Sequence, residues 1–285
     1  MGLGTMGAPM ATHLRRAGHQ VCAYNRTTAK AQAWAQANDG QWAATPQEAL
    51  ADAQLVVSCV GRDEDLRGLM QGPGGVLPLM AQDSIWVDHT TTSAMLAREM
   101  CQAAAGHGVH FVDAPVSGGN LGAIQGTLSI MCGGQSQAVL RITPVLMAYA
   151  KAVVHIGESG AGQLAKMVNQ LCVAGVLQGL AEGLAFGQQA GLDMSRVLQA
   201  ISQGAASSWQ MVNRGPTMLD GQFDFGFAVD WMRKDLGLCL AQANSQGSAL
   251  PLATLVDQYY AELQAMGGGR WDTSSLIHRM KKTAT

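Results

Sequence analysis

The sequence lacks the features that mark a secreted chain, a nucleic-acid-binding chain or a metal site. Its 18 Lys and Arg residues nearly balance 20 Asp and Glu residues, giving a formal charge of −2 without a basic block, so nucleic acid is not an expected partner. The six cysteines form no Cys-x-x-Cys pair, which favours reduced thiols in a cytoplasmic protein. His107 and His110 have no evident third ligand, so we expect no bound metal.

A charged and apolar leader is also absent, because the chain begins directly in a glycine-rich turn; no secretion signal is indicated. The most apolar stretch, residues 164–186, is interrupted by five polar residues: Lys166, Asn169, Gln170, Gln178 and Glu182. We therefore predict a buried helix of a soluble domain and no membrane partner. With 285 residues, of which 48% are hydrophobic, the chain is long and apolar enough for two domains.

The first motif present is Gly2-Leu3-Gly4-Thr5-Met6-Gly7. This G-x-G-x-x-G spacing is typical of a dinucleotide-binding turn, which needs glycine for the tight turn, for approach of a pyrophosphate and for helix packing. A helical pattern over residues 8–18 and an apolar run over residues 20–24 follow it. The strand that should precede the turn is missing. Because a central strand cannot be dropped without exposing its neighbours' backbone, we expect the native chain to begin several apolar residues before Met1.

Short apolar runs alternate with helical patterns through the first half of the chain. These runs lie at residues 20–24, 54–60, 84–88, 109–113, 128–132 and 152–156. Such alternation predicts a Rossmann-like, doubly wound and mostly parallel α/β sheet. After Gly162 only helical patterns follow, at residues 163–190, 193–203, 207–218, 229–246 and 251–265. We therefore expect a dinucleotide-binding domain over residues 1–160 and an all-α domain over residues 161–285.

The residues after the second predicted strand favour NADP over NAD. An NAD site usually carries an acid about 20 residues past the fingerprint, which holds the ribose hydroxyls. Here Asn25-Arg26-Thr27 occupies this place, and the next acid is Asp39. A guanidinium group suits a ribose 2′-phosphate, because it forms paired hydrogen bonds to phosphate oxygens. A solvated turn is the alternative interpretation. NADP(H) is thus the predicted cofactor, and NAD(H) is possible.

Loops at residues 59–61 and 88–92 end two predicted strands, where open parallel sheets present ligand-facing residues. Capping of a helix that starts near Ser93 explains the second loop equally well. Ser117-Gly118-Gly119 follows another strand and combines a hydroxyl with accessible backbone N–H groups. That combination suits a carboxylate, although a tight turn without a ligand fits the pattern as well.

Lys166 lies near the start of an apolar helix, with Asn169 and Gln170 on the same face. A Lys in such a helix commonly reaches solvent. At a domain junction, however, burial and a helix N-terminus suit it to acid–base catalysis. Lys234 and Asp235 are consecutive on a predicted helix, so we expect them to point apart, each with its own partner.

Together these motifs resemble the 3-hydroxyacid dehydrogenase family, which includes 3-hydroxyisobutyrate dehydrogenase, tartronate semialdehyde reductase and the glyoxylate/succinic semialdehyde reductases. Four segments occur in the family's order: GLGTMG, DAPVSGG, GAGQLAKMVNQ and KDL. The resemblance spans nearly the whole chain. It implies an NAD(P)-binding domain followed by a helical domain, a homodimer or homotetramer, and a small carboxylate as substrate.

The resemblance also implies roles for particular residues. Lys166 is the catalytic acid/base, and Asn169 orients the substrate, although Gln170 is an alternative for that contact. The substrate carboxylate is bound by Ser117, Gly118 and Gly119. Lys234 approaches the cofactor, whose path is lined by Val60, Gly61, Asp65 and Thr91.

Two other functions are compatible with these motifs. Imine reductases resemble this family and share the Asn-Arg-Thr turn, and a non-catalytic dinucleotide-binding scaffold would need only the fold. Relatives of both kinds generally lack a Lys at the position of Lys166. Its presence therefore favours an NADP-dependent oxidoreductase that interconverts a small 3-hydroxy acid and its semialdehyde.

Overall fold

The structure is a computed structural model that describes residues 1–51 and 53–280. The chain divides into two compact units, Met1–Lys166 and Met167–Thr285. A sheet with helices on its faces forms the first unit, and the second is helical. The predicted fold class, a Rossmann-like sheet followed by an all-α region, is thus confirmed.

Six helices and eight strands build the first unit within the described residues. The helices are α1 (Gly7–Arg16), α2 (Thr28–Asn38), α3 (Asp63–Gln71), α4 (Ala94–Gly106), α5 (Gly119–Gln125) and α6 (Ser136–Leu146). The strands are β1 (Cys22–Ala23), β2 (Gln41–Trp42), β3 (Leu55–Ser58), β4 (Ile85–Asp88), β5 (His110–Asp113), β6 (Val116–Ser117), β7 (Leu128–Gly133) and β8 (Ala150–Gly157).

The centre of the sheet is parallel. β3 pairs with β4, and β4 pairs with β5, in parallel register. β7 then runs antiparallel to β5 and β6, while β8 lies parallel to β7. β1 and β2 form a separate parallel pair. The sequence pattern did not predict the two-residue strands β2 and β6, because both lie outside the apolar runs; the equally short β1 lies within the run at residues 20–24.

Helices cover both faces of this sheet. Successive residues of a strand point to opposite faces, and neighbouring residues of β4 and β5 accordingly belong to different apolar clusters. Trp86 and Phe111 pack with residues of α3 and α4. Val87 and Val112 pack with residues of α1 and α6. This two-sided burial explains why the predicted runs are continuously apolar rather than alternating.

The sheet is divided beside the fingerprint turn. The Met1 amine donates to the Val57 carbonyl at 2.6 Å, and the Met1 carbonyl accepts from the Cys59 N–H at 3.0 Å. The Gly2 N–H donates to the Tyr24 carbonyl at 2.9 Å. Met1 and Gly2 therefore bridge β3 and the end of β1, and burial lowers the pKa of the Met1 amine to about 6. Among the described residues no strand pairs with both β1 and β3, which belong to separate sheets.

Helix α7 (Ala161–Gln189) begins against the end of β5. The Asp113 carboxylate accepts the Gly160 N–H at 2.7 Å and the Gln163 N–H at 2.9 Å. Burial raises the pKa of Asp113 to about 7, although both N–H groups act in the opposite direction. A Cβ atom at Gly162 would collide with the Met131 carbonyl and lie 2.6 Å from the Asp113 carbonyl oxygen. Only glycine allows so close an approach of helix and sheet.

The second unit is a helical assembly around one apolar core. After α7 the chain forms α8 (Met194–Ile201), α9 (Trp209–Asp220), α10 (Val229–Gln246) and α11 (Pro251–Ala265). The core includes Leu177 and Leu184 of α7, Leu236 of α10, and Val256 and Tyr260 of α11. The pairs in α7 and α11 follow helical spacing, which explains why the pattern predicted these helices.

By length and composition alone, α7 is long and apolar enough to cross a membrane. Core helices commonly share this composition, and 44% of the most apolar 18 residues of α7 are buried inside the protein. Leu177, Ala181 and Leu184 belong to the core of the second unit. Part of the apolar surface of α7 is therefore buried in the core of the second unit.

We predict that Gly162→Ala destabilises the protein. The added methyl group meets carbonyl oxygens of β5 and β7, and we expect the free energy of unfolding to fall by about 2–3 kcal/mol. Gly68→Ala in α3 is the control, because nothing lies within 4 Å of the added carbon there, and it should gain about 0.5–1 kcal/mol. Urea unfolding followed by circular dichroism measures both; wild-type stability in Gly162→Ala would contradict the close approach.

Candidate functional site

The fingerprint turn, residues 2–7, leads from Met1 into α1. Gly2 has φ of +90°, and a Cβ atom there would collide with the Cys59 carbonyl; one at Gly7 would collide with the Gly2 carbonyl. At Gly4, by contrast, nothing lies within 4 Å of an added carbon. Gly2 and Gly7 are therefore required by the fold. Gly4 leaves open space at the start of α1, where backbone N–H groups suit a pyrophosphate.

Asn25 fixes this turn in place. Its Oδ1 accepts the Leu3 N–H at 2.9 Å, and its Nδ2 donates to the Thr27 carbonyl at 3.1 Å. Leu3 is buried, whereas Thr5 is exposed and Met6 partly buried. The sequence prediction placed Asn25 at the cofactor. The structure adds a positioning role that the residue type alone did not indicate.

Arg26 and Asp65 are brought together from separate elements. The Arg26 side chain is 91% exposed, and its Nη1 lies 3.5 Å from Asp65 Oδ1. Asp65 stands in the first turn of α3, where its Oδ2 accepts the Arg62 N–H at 3.1 Å. Two predicted cofactor residues, one after β1 and one after β3, thus lie side by side.

Buried hydrogen bonds connect the loops that end β3 and β4. Thr90 Oγ1 accepts the Val60 N–H at 2.9 Å and donates to Asp88 Oδ1 at 2.7 Å. Ser58 Oγ donates to the same carboxylate oxygen at 2.7 Å and accepts from the Trp86 indole N–H at 2.8 Å. This network fixes the backbone at Val60, a predicted cofactor contact.

The neighbouring positions Gly61 and Thr91 are partly exposed. Capping of α4 is performed by Ser93, whose Oγ accepts the Leu96 N–H at 3.0 Å. Thr91 is thus not needed as the cap, and its partial exposure is compatible with the predicted place on the cofactor path.

His89 holds the next loop. Its Nδ1 lies 2.5 Å from the Ala114 carbonyl, and its Nε2 lies 2.8 Å from the Tyr149 hydroxyl. Burial lowers the pKa of His89 to about 4, although the Ala114 carbonyl acts in the opposite direction. Burial likewise raises the pKa of Tyr149. The neutral imidazole therefore donates a hydrogen bond to the Ala114 carbonyl and accepts one from the Tyr149 hydroxyl. These bonds fix the chain between Asp113 and Ser117, the next predicted site residue.

The Ser117 loop exposes backbone at the start of α5. Ser117 ends β6 opposite Ser129 of β7. Gly118 and Gly119 have φ of +126° and +61°, and a Cβ atom at Gly119 would meet open space. The start of α5 has no side-chain cap among the described residues. Its N–H groups can therefore receive an anion such as a carboxylate.

Lys166 is 8% exposed, in the second turn of α7. One turn before it, Gln163 Nε2 donates to the Thr90 carbonyl at 2.8 Å, and its Oε1 accepts the Thr92 N–H at 3.1 Å. Together with Asp113, these bonds fix the backbone that carries Lys166 against the loops after β4 and β5. Gln163 and Asp113 were not predicted as positioning residues from the sequence. The available signals were the acid at the end of a buried strand, for Asp113, and the Gln directly after Gly-Ala-Gly, for Gln163.

Four polar residues form a chain of contacts in the second unit. Asn169 Nδ2 donates to Gln170 Oε1 at 2.8 Å, and Gln170 Nε2 donates to Asp235 Oδ2 at 2.7 Å. Lys234 Nζ lies 3.2 Å from Asp235 Oδ1. The expectation that Lys234 and Asp235 point apart is therefore wrong, because the long Lys side chain folds back onto the neighbouring carboxylate. Gln170 is 3% exposed and Asn169 partly exposed, which favours Asn169 for the substrate contact.

Neither a disulfide nor a metal cluster is formed in the described part of the chain. None of the six cysteines forms a disulfide, and Cys172 is exposed. No group of three or more His, Cys, Asp or Glu side chains is arranged to hold a metal ion within residues 1–51 and 53–280. His110 instead contacts Gln135 at 3.0 Å and Asp83 at 3.1 Å.

Known families match both parts of the chain. Residues 1–157 match the family described as the NAD binding domain of 6-phosphogluconate dehydrogenase. Residues 160–280 match the family described as NAD-binding of NADP-dependent 3-hydroxyisobutyrate dehydrogenase. The glycine turn, the two-sided sheet and the helical region after it agree with these matches and define an NAD(P)-binding oxidoreductase.

Similar proteins narrow this class. An uncharacterized oxidoreductase of Shewanella frigidimarina is 53% identical over 99% of this chain and 97% of its own. The 3-hydroxyisobutyrate dehydrogenase of Pseudomonas aeruginosa is 33% identical over 92% of this chain and 90% of its own. The solved Mycobacterium tuberculosis 3-hydroxyisobutyrate dehydrogenase with L-serine is 32% identical, with a TM-score of 0.88, over 98% and 97% of the two chains. The chain therefore belongs to the 3-hydroxyacid dehydrogenase family.

Gly4→Ala should leave the fold intact and weaken dinucleotide binding. Its methyl group enters open space in the protein, but this is the space a pyrophosphate needs. We expect NADPH affinity to fall at least about tenfold, which is about 1.4 kcal/mol. Fluorescence titration with NADPH and thermal unfolding measure the two effects. Gly7→Ala is the contrast, because it should also lose stability; unchanged NADPH affinity in Gly4→Ala would refute the assignment.

His89 should make stability depend on pH. Between pH 6.5 and 4 the unfolded chain holds a proton on this histidine that the folded chain does not, so its contribution is full above pH 6.5 and falls by about 3 kcal/mol towards pH 4. Asp113 acts oppositely, because its raised pKa makes its contribution full below pH 3.8 and lost as pH rises through 7.

Comparison of variants separates these two contributions. His89→Gln should be less stable than wild type at pH 7, and this deficit should shrink by about 3 kcal/mol at pH 4. Urea unfolding at several pH values measures the deficit, with the exposed His19→Gln as control. A deficit for His89→Gln that is constant from pH 7 to 4 would show that folding does not lower the pKa of this ring.

Proposed function

We propose that the protein is an NADP-preferring oxidoreductase that interconverts a small 3-hydroxy acid, or a related hydroxy acid, and its semialdehyde. The observation that carries this proposal is the buried Lys166 at the start of α7, whose helix is held by Asp113 and Gln163. Family membership supports a hydroxyacid dehydrogenase. The choice of a lysine acid/base and of NADP is our extension of that class.

The cofactor site is proposed around the fingerprint turn. NADP(H), when bound, supplies the hydride in one direction and accepts it in the other. The residues proposed to hold it or to line its path are Gly2, Leu3, Gly4, Thr5, Met6, Gly7, Asn25, Arg26, Thr27, Val60, Gly61, Asp65, Thr91 and Lys234. Open space at Gly4 fits the pyrophosphate of such a ligand, and the exposed guanidinium of Arg26 fits its ribose 2′-phosphate. NAD(H) is the second cofactor we would expect to be accepted.

The substrate carboxylate is proposed to lie in the Ser117 loop. Ser117 can donate its hydroxyl hydrogen, and the backbone at Gly118 and Gly119 can donate N–H groups to the same oxygen atoms. Open space beside Gly119 supports this role. Asn169 is proposed to orient the reacting end of the substrate, since Gln170 already donates to Asp235.

Lys166 is proposed as the residue that moves the proton. It gives a proton to the carbonyl oxygen when a semialdehyde is reduced, and it takes one from the hydroxyl when a hydroxy acid is oxidised. Its backbone is held one turn away by Gln163. The fixed backbone and the 8% exposure of Lys166 both restrict where Nζ can lie, as a positioned acid requires.

We also propose the organisation of the whole molecule. Residues 1–160 form the dinucleotide-binding domain and residues 161–285 the substrate and dimerisation domain of a homodimer or homotetramer in the cytoplasm. The balanced charge without basic blocks supports a protein without a nucleic-acid partner. The partial burial of the apolar helix α7 supports a protein without a membrane partner.

Lys166→Ala should abolish most of the turnover and keep cofactor binding. With NADPH and succinic semialdehyde, glyoxylate or tartronate semialdehyde, we expect kcat to fall about 10²- to 10⁴-fold. Stopped-flow oxidation of NADPH measures kcat, and fluorescence titration measures binding. Lys151→Ala, an exposed lysine of β8, is the control. Near-full turnover in Lys166→Ala would overturn its role.

The substrate panel also tests the reaction class. Turnover of cyclic imines, with no turnover of any small semialdehyde, would replace this proposal with imine reduction. NADPH binding with no turnover of either class would favour a non-catalytic scaffold. Turnover of one semialdehyde above the others would identify the substrate group.

A further inference from the structure

We infer that Asp65 is a counter-ion of Arg26 that competes with a ribose 2′-phosphate and so limits the preference for NADP(H) over NAD(H). The competition presupposes the NADP site proposed above. It follows from one juxtaposition, in which Arg26 Nη1 lies 3.5 Å from Asp65 Oδ1. The guanidinium group that is proposed to bind the 2′-phosphate therefore already lies beside the Asp65 carboxylate.

The two partners differ in how firmly they are held. The Asp65 side chain is 39% exposed, and its other oxygen accepts the Arg62 N–H at the start of α3. The Arg26 side chain is 91% exposed, and this is its single ion pair within residues 1–51 and 53–280. Arg26 is thus free to turn towards a ligand, whereas Asp65 is fixed to its helix.

The charges of Arg26, Asp65 and the 2′-phosphate determine how Asp65 affects binding of the cofactor. An exposed ion pair contributes little, so a 2′-phosphate with nearly two negative charges can take Arg26 from Asp65. The carboxylate, however, stays fixed to α3 beside Arg26. A phosphate bound by this guanidinium next to Asp65 would lie within the Debye length of about 8 Å at physiological salt, so its repulsion by the carboxylate would not be fully screened. Asp65 therefore reduces the gain from the 2′-phosphate.

The neighbouring acids of the same turn have other positions. Asp63 accepts the N–H and the hydroxyl hydrogen of Ser93, at 3.1 and 2.6 Å. Glu64 is exposed and forms no ion pair with Arg26 in the described structure. Asp65 is accordingly the acid of this turn that contacts Arg26. Glu64 provides a matched control, because it carries the same charge one residue away.

The test is Asp65→Asn, which removes the charge and keeps an oxygen that can accept the Arg62 N–H. The probes are adenosine 2′,5′-bisphosphate and adenosine 5′-monophosphate, which differ only in the 2′-phosphate. Calorimetric titration should show about three- to tenfold tighter binding of the bisphosphate by Asp65→Asn. Binding of the monophosphate should change less than about twofold, and so should both affinities in Glu64→Gln.

Salt gives a second readout. The gain in Asp65→Asn should shrink when the ionic strength is raised to about 1 M, where the Debye length is about 3 Å. An unchanged ratio of the two affinities in Asp65→Asn, an equal gain in Glu64→Gln, or a gain that persists in high salt would each overturn the inference.

The proposed NADP preference is read separately, from the wild-type protein. If the wild type binds both probes equally, the proposed preference fails, while the change caused by Asp65→Asn still decides the role of Asp65. Neither measurement requires a substrate or turnover. Failure of the proposed reaction therefore leaves the result on Asp65 unaffected.

Discussion

The carboxylate of Asp113 ties the end of β5 to the start of α7, and the position of Lys166 depends on this contact. Three segments far apart in sequence converge on it. The two N–H donors come from Gly160 and Gln163, and a Cβ atom at Gly133, at the end of β7, would lie 2.6 Å from the same carboxylate. No residue larger than glycine would fit beside this carboxylate at Gly133 of β7 or at Gly162 of α7. A buried acid thus determines where the helix starts, and the helix start determines where the lysine lies.

The other loops of the first unit are held in a similar way, by side chains that bond to backbone. Asn25 holds Leu3, Thr90 holds Val60, and His89 holds Ala114. Each of these contacts joins a loop to a neighbouring strand end, so the loops are fixed before any ligand arrives. Preorganisation of this kind is what a site needs in order to place reacting groups within a fraction of an ångström.

The sequence was sufficient for the fold class and for the main strands and helices, because apolar periodicity records which faces are buried. It was not sufficient for the positioning contacts. Asp113 reaches donors 47 and 50 residues away, and no local pattern encodes such a pairing. The contact between Lys234 and Asp235 was missed for a different reason. Helix geometry places their Cβ atoms apart, but a flexible Lys side chain can still reach the adjacent acid. The roles assigned to individual site residues stay predictions.

The turn formed by Asn25, Arg26 and Thr27 combines two tasks in three consecutive residues. Asn25 supports the glycine loop through Leu3 and holds the turn closed through the carbonyl of Thr27, while Arg26 extends into solvent. Exchanging this turn as a block, for example to redesign cofactor choice, would therefore also remove the support of the glycine loop. A redesign that changes Arg26 and retains Asn25 keeps the two tasks separate, so the discrimination proposed for Arg26 can be altered without loosening the loop that is proposed to bind either cofactor.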